Sequence, residues 1–151
     1  MPIGDAPITM LDNTPKPGKK YFTVAEANRS LPYVSRIVED IVLTYGQVVQ
    51  IRHELQQRGQ QPGSGTASEE LEATYDELLD RLSDLVDELC CVGIELKDFE
   101  KGLIDFPALH EGREVLLCWR RGEHEVAHWH EVDAGFAGRQ SVKLLSEAAL
   151  H

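Results

Sequence analysis

The stretch "DLVDELCCVGIELKDF", residues 84–99, contains the change of rhythm that decides the fold. Upstream of it, Leu71, Tyr75, Leu78, Leu82, Leu85, Leu89 and Val92 recur in alternating steps of four and three, which lines one face of an α-helix. Ser68 offers a side-chain oxygen to the first turn, and Glu69 and Glu70 sit where the helix dipole favours negative charge. Gly93 is the natural stop. Beyond it the period drops to two. "IELKDF" (94–99), "GLIDFPAL" (102–109), "REVLLCWRR" (113–121) and "EVAHWHEV" (125–132) read as short strands parted by turns around Gly102, Gly112 and Gly122. Consecutive strands on short connections make an antiparallel meander of three to four strands.

Working back toward the start, "YFTVAEAN" (21–28) carries Thr23 and Glu26 at capping-box spacing. Pro32 cannot donate a hydrogen bond in a helix interior, so the first helical piece should be short, with Pro32 opening a second, long helix to about Gly59. Val34, Val38, Ile41, Tyr45, Val48 and Leu55 form its stripe, widened by Ile37, Val42, Val49 and Ile51. "GQQPGSGTAS" (59–68) is a flexible connection by composition. The reading is therefore α+β. A tail over 1–20 leads into one domain over 21–142, with helices about 24–58 and 68–92 as a long antiparallel hairpin, strands about 94–132, and a second tail over 143–151. The helical stripe is wider than one sheet face can cover, which predicts a homodimer through the long helices.

Composition narrows the function classes. With 151 residues, 42% hydrophobic and 27% charged, the chain fits one folded domain with a real core. No apolar run approaches the ~20 residues that cross a bilayer. The opening "MPIGDAPITMLDN" has neither the basic start nor the apolar region of a signal peptide. Three cysteines, Cys90 and Cys91 adjacent and Cys118 in "VLLCW", suit small buried hydrophobes in a reducing cytoplasm better than a disulfide framework. Net charge is −11, and residues 69–101 hold twelve acids against three bases. That face repels nucleic acid and anionic membrane, and it would suit a basic protein partner on the helix 68–92. No phosphate-binding glycine loop with its lysine occurs, and no G-x-S-x-G elbow.

Chemistry is arguable in one place, "HWHEVDAGF" (128–136). His128, His130, Glu131 and Asp133 are ligand-type residues for a divalent metal such as zinc. Strand alternation places His128 and His130 on one face, Glu131 and Asp133 on the other. A histidine pair then needs a third ligand from Asp105, His110 or a helix carboxylate such as Glu88 or Glu95. An even-numbered turn near Gly122 would set the histidines beside Val115, Leu117 and Trp119, facing the helices, whereas an odd one exchanges those neighbours. Gly135 and Gly138 allow Arg139 to fold back onto Glu131 or Asp133 and pin the turn. Arg139 and Arg113 could alternatively form an anion pocket.

The runs "FTVAEANRSLP", "GIELKDFEKGLIDFPAL", "REVLLCW" and "WHEVDAGFAGR" resemble a bacterial family catalogued as domain of unknown function 2203, over roughly residues 22–140. The resemblance implies bacterial origin and a compact single domain, and it specifies no activity. His130 and Glu131 match its pattern, while His128 stands where the family carries an aromatic residue. Two functions follow as expectations. The first is a dimeric assembly module without catalytic activity. The alternative is a metal- or small-ligand-binding protein, even a hydrolytic enzyme, with its site around His130, Glu131 and Asp133.

Overall fold

The computed structural model describes residues 12–59 and 65–151. Residues 1–11 of the expected N-terminal tail, and 60–64 of the connection between the helices, lie outside the described residues.

Helix α1 runs Val24–Arg58 and opens on the expected capping box. The Thr23 hydroxyl accepts from the Glu26 N–H at 3.1 Å, and the Glu26 carboxylate accepts from the Thr23 N–H at 2.9 Å. Pro32 does not open a second helix; it sits inside this one. The ring faces solvent, and the buried stripe of Ala27, Leu31, Val34, Val38 and Ile41 continues straight through it. An interior proline costs about 3 kcal/mol, and burial of that stripe on both sides of Pro32 outweighs it. Helix α2 spans Gly65–Cys91 and starts ahead of Ser68. It returns antiparallel to α1: Tyr33 donates to Glu88, and Asp40 meets Arg81 at 3.9 Å. Leu82, Leu85 and Leu89 are buried, whereas Leu71, Tyr75 and Leu78 farther out along the same stripe are only half-buried.

Gly93, at φ +87°, takes the left-handed conformation that ends the helix and turns the chain into the sheet. Five antiparallel strands follow in sequence order: β1 (Glu95–Asp98), β2 (Leu103–His110), β3 (Arg113–Arg120), β4 (His128–Glu131) and β5 (Gln140–Ser141). The two-residue β5 has no alternation to announce it. Between β2 and β3 the turn uses Glu111 (φ 50°) and Gly112 (φ 78°), the paired positive φ values of a tight hairpin. It pairs His110 with Arg113 and thereby fixes every pair behind, including Asp105 with Cys118.

One face of the sheet, bearing Ile104, Phe106, Ala108, Val115, Leu117, Trp119 and Trp129, packs into the core with α1 and α2. The opposite, outer face is covered too. Residues 12–22 cross it as a strap: Asn13 O accepts from Glu114 N at 2.7 Å, and Phe22 N donates to Pro107 O at 2.7 Å. Between these ends Lys19 and Tyr21 both bond the Glu114 carboxylate, at 2.8 and 2.9 Å. Residues 143–151, expected as a tail, carry a short helix α3 (Glu147–Leu150), and Leu145 and Ala149 are buried in the core. No described helix is long and apolar enough to cross a membrane.

Candidate metal centre

Strand pairing draws a row across the outer face: Asp105 on β2 opposite Cys118 on β3, and Cys118 opposite His128 on β4. His130 is one step along, opposite Leu116, and its ring reaches diagonally into the row. Its Nε2 lies 3.2 Å from Asp105 Oδ1, and its Nδ1 lies 2.8 Å from the Glu131 carbonyl. The ligand-type atoms of Asp105, Cys118 and His130 all fall within 4.8 Å of one another. The three residues are 2%, 0% and 3% exposed.

This placement corrects the expected neighbours of the histidine pair. Leu117 stands opposite Trp129, so an odd number of residues connects the paired positions, and His128 and His130 lie beside Cys118 and Leu116 instead of Val115, Leu117 and Trp119. They face away from the helices.

The protonation of His130 follows from what its nitrogens face. A backbone carbonyl can only accept, so Nδ1 carries a proton, and the carboxylate at Nε2 favours a second. Burial opposes the charged ring. The hydrogen bonds to Asp105, Cys118 and the Glu131 carbonyl outweigh it and raise the pKa from 6.5 to about 10. At neutral pH the centre of this face is therefore a buried imidazolium–carboxylate pair beside a fully buried thiol.

The other expected site residues are dispersed. Glu131 turns to the helix side of β4, where Arg113 grips it with two hydrogen bonds of 2.9 and 2.6 Å and holds its carboxyl below the usual range. Asp133 lies exposed in the turn that follows and is not among the converging groups. Arg139 pins that turn, but not through Glu131 or Asp133: it holds Glu123 bidentately at 2.8 and 2.6 Å, donates to the Cys118 carbonyl at 3.3 Å, and lies 4.5 Å over the Phe136 ring. Glu131 was already claimed by Arg113, which leaves the partly buried Glu123 as the acceptor. Burial works against the Glu123 charge, yet the Arg139 hydrogen bonds keep its pKa low. With each arginine matched to a glutamate, the anion pocket expected of Arg113 and Arg139 does not form. His128 is half-buried, and its Nδ1 has no partner among the described residues.

Of the expected third ligands, only Asp105 joins the cluster. His110 lies tilted against Trp129, with ring centroids 5.3 Å apart, and accepts from Ser146 N; Glu88 accepts from Tyr33, and Glu95 pairs with Lys97. Cys118 is the residue that reading the sequence missed. Its signal was the "EG" pair at 111–112: a two-residue hairpin turn there sets 105 opposite 118 by counting alone.

Beside the cluster lies a cavity of about 180 Å³ lined by Lys97, Leu103, Asp105, Leu116, His130, Val132, Gly135 and Phe136. The turn after β4 forms its outer wall. Gly135, at φ +66°, makes the reversal that an L side chain resists.

Compared with known proteins, residues 20–142 match the family described as "Uncharacterized conserved protein (DUF2203)". No curated protein and no solved structure matches the chain. The match spans most of the chain, which belongs to that family.

Proposed function

We propose that this member of the DUF2203 family holds a divalent transition metal, zinc by ligand preference, at Asp105, Cys118 and His130. The reading rests on one observation: a carboxylate, a thiol and an imidazole, all buried, converge within 4.8 Å. Thiolate, imidazole and carboxylate together suit zinc, and tetrahedral ligand atoms stand ~3.5 Å apart, a modest contraction from the spacing here. The second nitrogen is already prepared. A histidine ligand commonly donates its other N–H to a carbonyl or carboxylate, which fixes the ring, and Nδ1 of His130 points at the Glu131 carbonyl. Loading would displace the Nε2 proton and the thiol proton. With these three ligands the metal would supply Lewis-acid character to a small ligand entering from the cavity that Asp105 and His130 line. His128, paired opposite Cys118 and with its Nδ1 unpartnered among the described residues, lies outside the group that converges.

The test uses the full chain, purified without an affinity tag and titrated with zinc and with cobalt. One metal per chain and a near-ultraviolet sulfur-to-cobalt band are expected. Both should vanish in Cys118→Ser and survive in the Cys90→Ser, Cys91→Ser double variant, whose thiols are exposed. A chain that takes no metal at micromolar free zinc, or a band that survives Cys118→Ser, sinks the proposal.

A second reading, self-association through the hairpin, draws on the half-buried outer stripe of Leu71, Tyr75 and Leu78 and on Leu43 (58% exposed) and Leu79 (38%). It addresses assembly and is compatible with a metal on the far side of the sheet.

A further inference from the structure

Resting on that metal reading, we propose that the cavity beneath the turn 132–136 binds a small carboxylate with a short apolar body, its anionic end on the metal and its tail under the turn. Size comes first. A volume of about 180 Å³ equals some six waters at ~30 Å³ each, which fits a ligand of roughly six non-hydrogen atoms and excludes a nucleotide or a peptide.

The lining sets the polarity. Apart from Asp105 and His130 at the floor and Lys97 on one side, the walls are Leu103, Leu116, Val132 and Phe136, with the bare backbone of Gly135. Such a surface stabilises a hydrocarbon segment and offers a polar tail no partner.

Charge chooses the headgroup. A divalent ion with a Cys118 thiolate, an Asp105 carboxylate and a neutral His130 sums to zero. Lys97 is the one remaining charged side chain on the wall, a cation in the lining itself, while its partner Glu95 stands outside it. In the free chain Lys97 bonds Glu95 at 2.8 Å, and Lys19 stands 3.9 Å from the same carboxylate. A ligand anion therefore competes with Glu95 for Lys97, since Lys19 is already bonded to Glu114 at 2.8 Å. An amine of the same shape would meet this positive field unfavourably and would find no acceptor on the apolar walls.

The turn is built to form a wall without filling the space. A side chain at Gly135 would face strain from the positive φ, while Arg139 anchors the far end of the turn to Glu123 and to the Cys118 carbonyl. Through that carbonyl the wall is tied to the strand that carries the thiol.

The experiment is calorimetric titration of zinc-loaded and metal-free full chain with butyrate, using butylamine as the charge control. Butyrate should bind the zinc-loaded chain at least ten-fold tighter than the metal-free chain, and at least ten-fold tighter than butylamine binds. Val132→Phe should abolish butyrate binding while one zinc per chain is retained. Lys97→Met changes only an exposed side chain, so its fold is not at risk, and it should weaken butyrate several-fold at unchanged zinc stoichiometry. Zinc bound normally but butyrate taken up equally with and without it overturns this proposal and leaves the metal reading standing. Tight butyrate binding that neither Val132→Phe nor Lys97→Met alters also overturns it, because the ligand then lies elsewhere. Failure to load zinc at all removes the metal reading and this one together.

Discussion

Replacing Asp105 with asparagine in the metal-free protein isolates the buried ion pair. The asparagine side chain has nearly the same shape and still offers an oxygen to His130 Nε2, so the change removes charge and little else. Both partners are almost wholly inaccessible, at 4% and 3% side-chain exposure, so solvent screens the pair poorly. The rise of the His130 pKa from 6.5 to about 10 corresponds to a ceiling of about 5 kcal/mol at ~1.4 kcal/mol per unit. Cys118 and the Glu131 carbonyl share that ceiling with Asp105. Loss of one partner of a buried pair costs about 3–5 kcal/mol, and we expect about 3 kcal/mol at pH 6. The folded pKa lies above the unfolded one. The pair's stabilisation is therefore fully present below pH 6.5 and is lost as pH rises through about 10. Urea unfolding in the presence of a chelator, followed by far-ultraviolet circular dichroism, should show the variant's midpoint lower by about 1–2 M at pH 6. The two proteins should converge near pH 10. A gap of the same size at both pH values would refute the charge argument. So would a wild-type His130 imidazole that titrates near 6.5 by nuclear magnetic resonance.

Three further outcomes follow from the packing. Arg139→Leu removes the bidentate hold on Glu123, and it should cost about 1–3 kcal/mol and speed amide hydrogen exchange across 134–138, where the turn loses its anchor. Leu89→Ala, at a fully buried position, should cost about 2–5 kcal/mol by urea unfolding, whereas Leu71→Ala on the half-buried outer stripe should cost a fraction of that. Equal losses at the two positions would show that a partner buries Leu71. Light scattering of dilute protein tests self-association directly: a dimer mass that falls to monomer in Leu43→Glu, Leu79→Glu is expected, and a monomer in the unchanged chain rules that association out.

Legibility in the sequence tracked how local the deciding physics was. The capping box at Thr23 and Glu26, the helix stop at Gly93 and the period change that follows are local signals, and each appears at its residue. Pro32 misled because its local cost is fixed, while the burial that offsets it depends on a sheet formed by residues more than sixty positions later. The side of the sheet occupied by His128 and His130 turned on one residue of register in the β3–β4 connection, and alternation cannot supply that count. The strap 12–22 and the buried Leu145 and Ala149 escaped for a similar reason: neither segment has periodicity, and each is held by partners far along the chain. For the site itself, alternation correctly separated the histidines from Glu131. Only hairpin register could add Cys118 and select Asp105 from the acids on offer.

Stability does not account for what the outer face of the sheet buries. Leu116 and Pro107 show that apolar side chains pack there, and the strap covers the face whether or not it is charged. Replacing a buried ion pair with well-packed apolar residues is commonly neutral or stabilising by about 1–4 kcal/mol. A sheet that needed only to support the helical hairpin would gain nothing from an imidazolium, a carboxylate and a thiol at its centre. Local rules are broken where a site is built, and here the violations surround one small cavity. A triple variant with Asp105→Leu, Cys118→Val and His130→Leu sharpens the point. It should fold at least as stably as the metal-free parent at pH 7 in urea titrations, and it should bind neither zinc nor butyrate. A loss of more than about 2 kcal/mol in that variant, beyond the range expected of a repacked core, would return the cluster to a purely structural role.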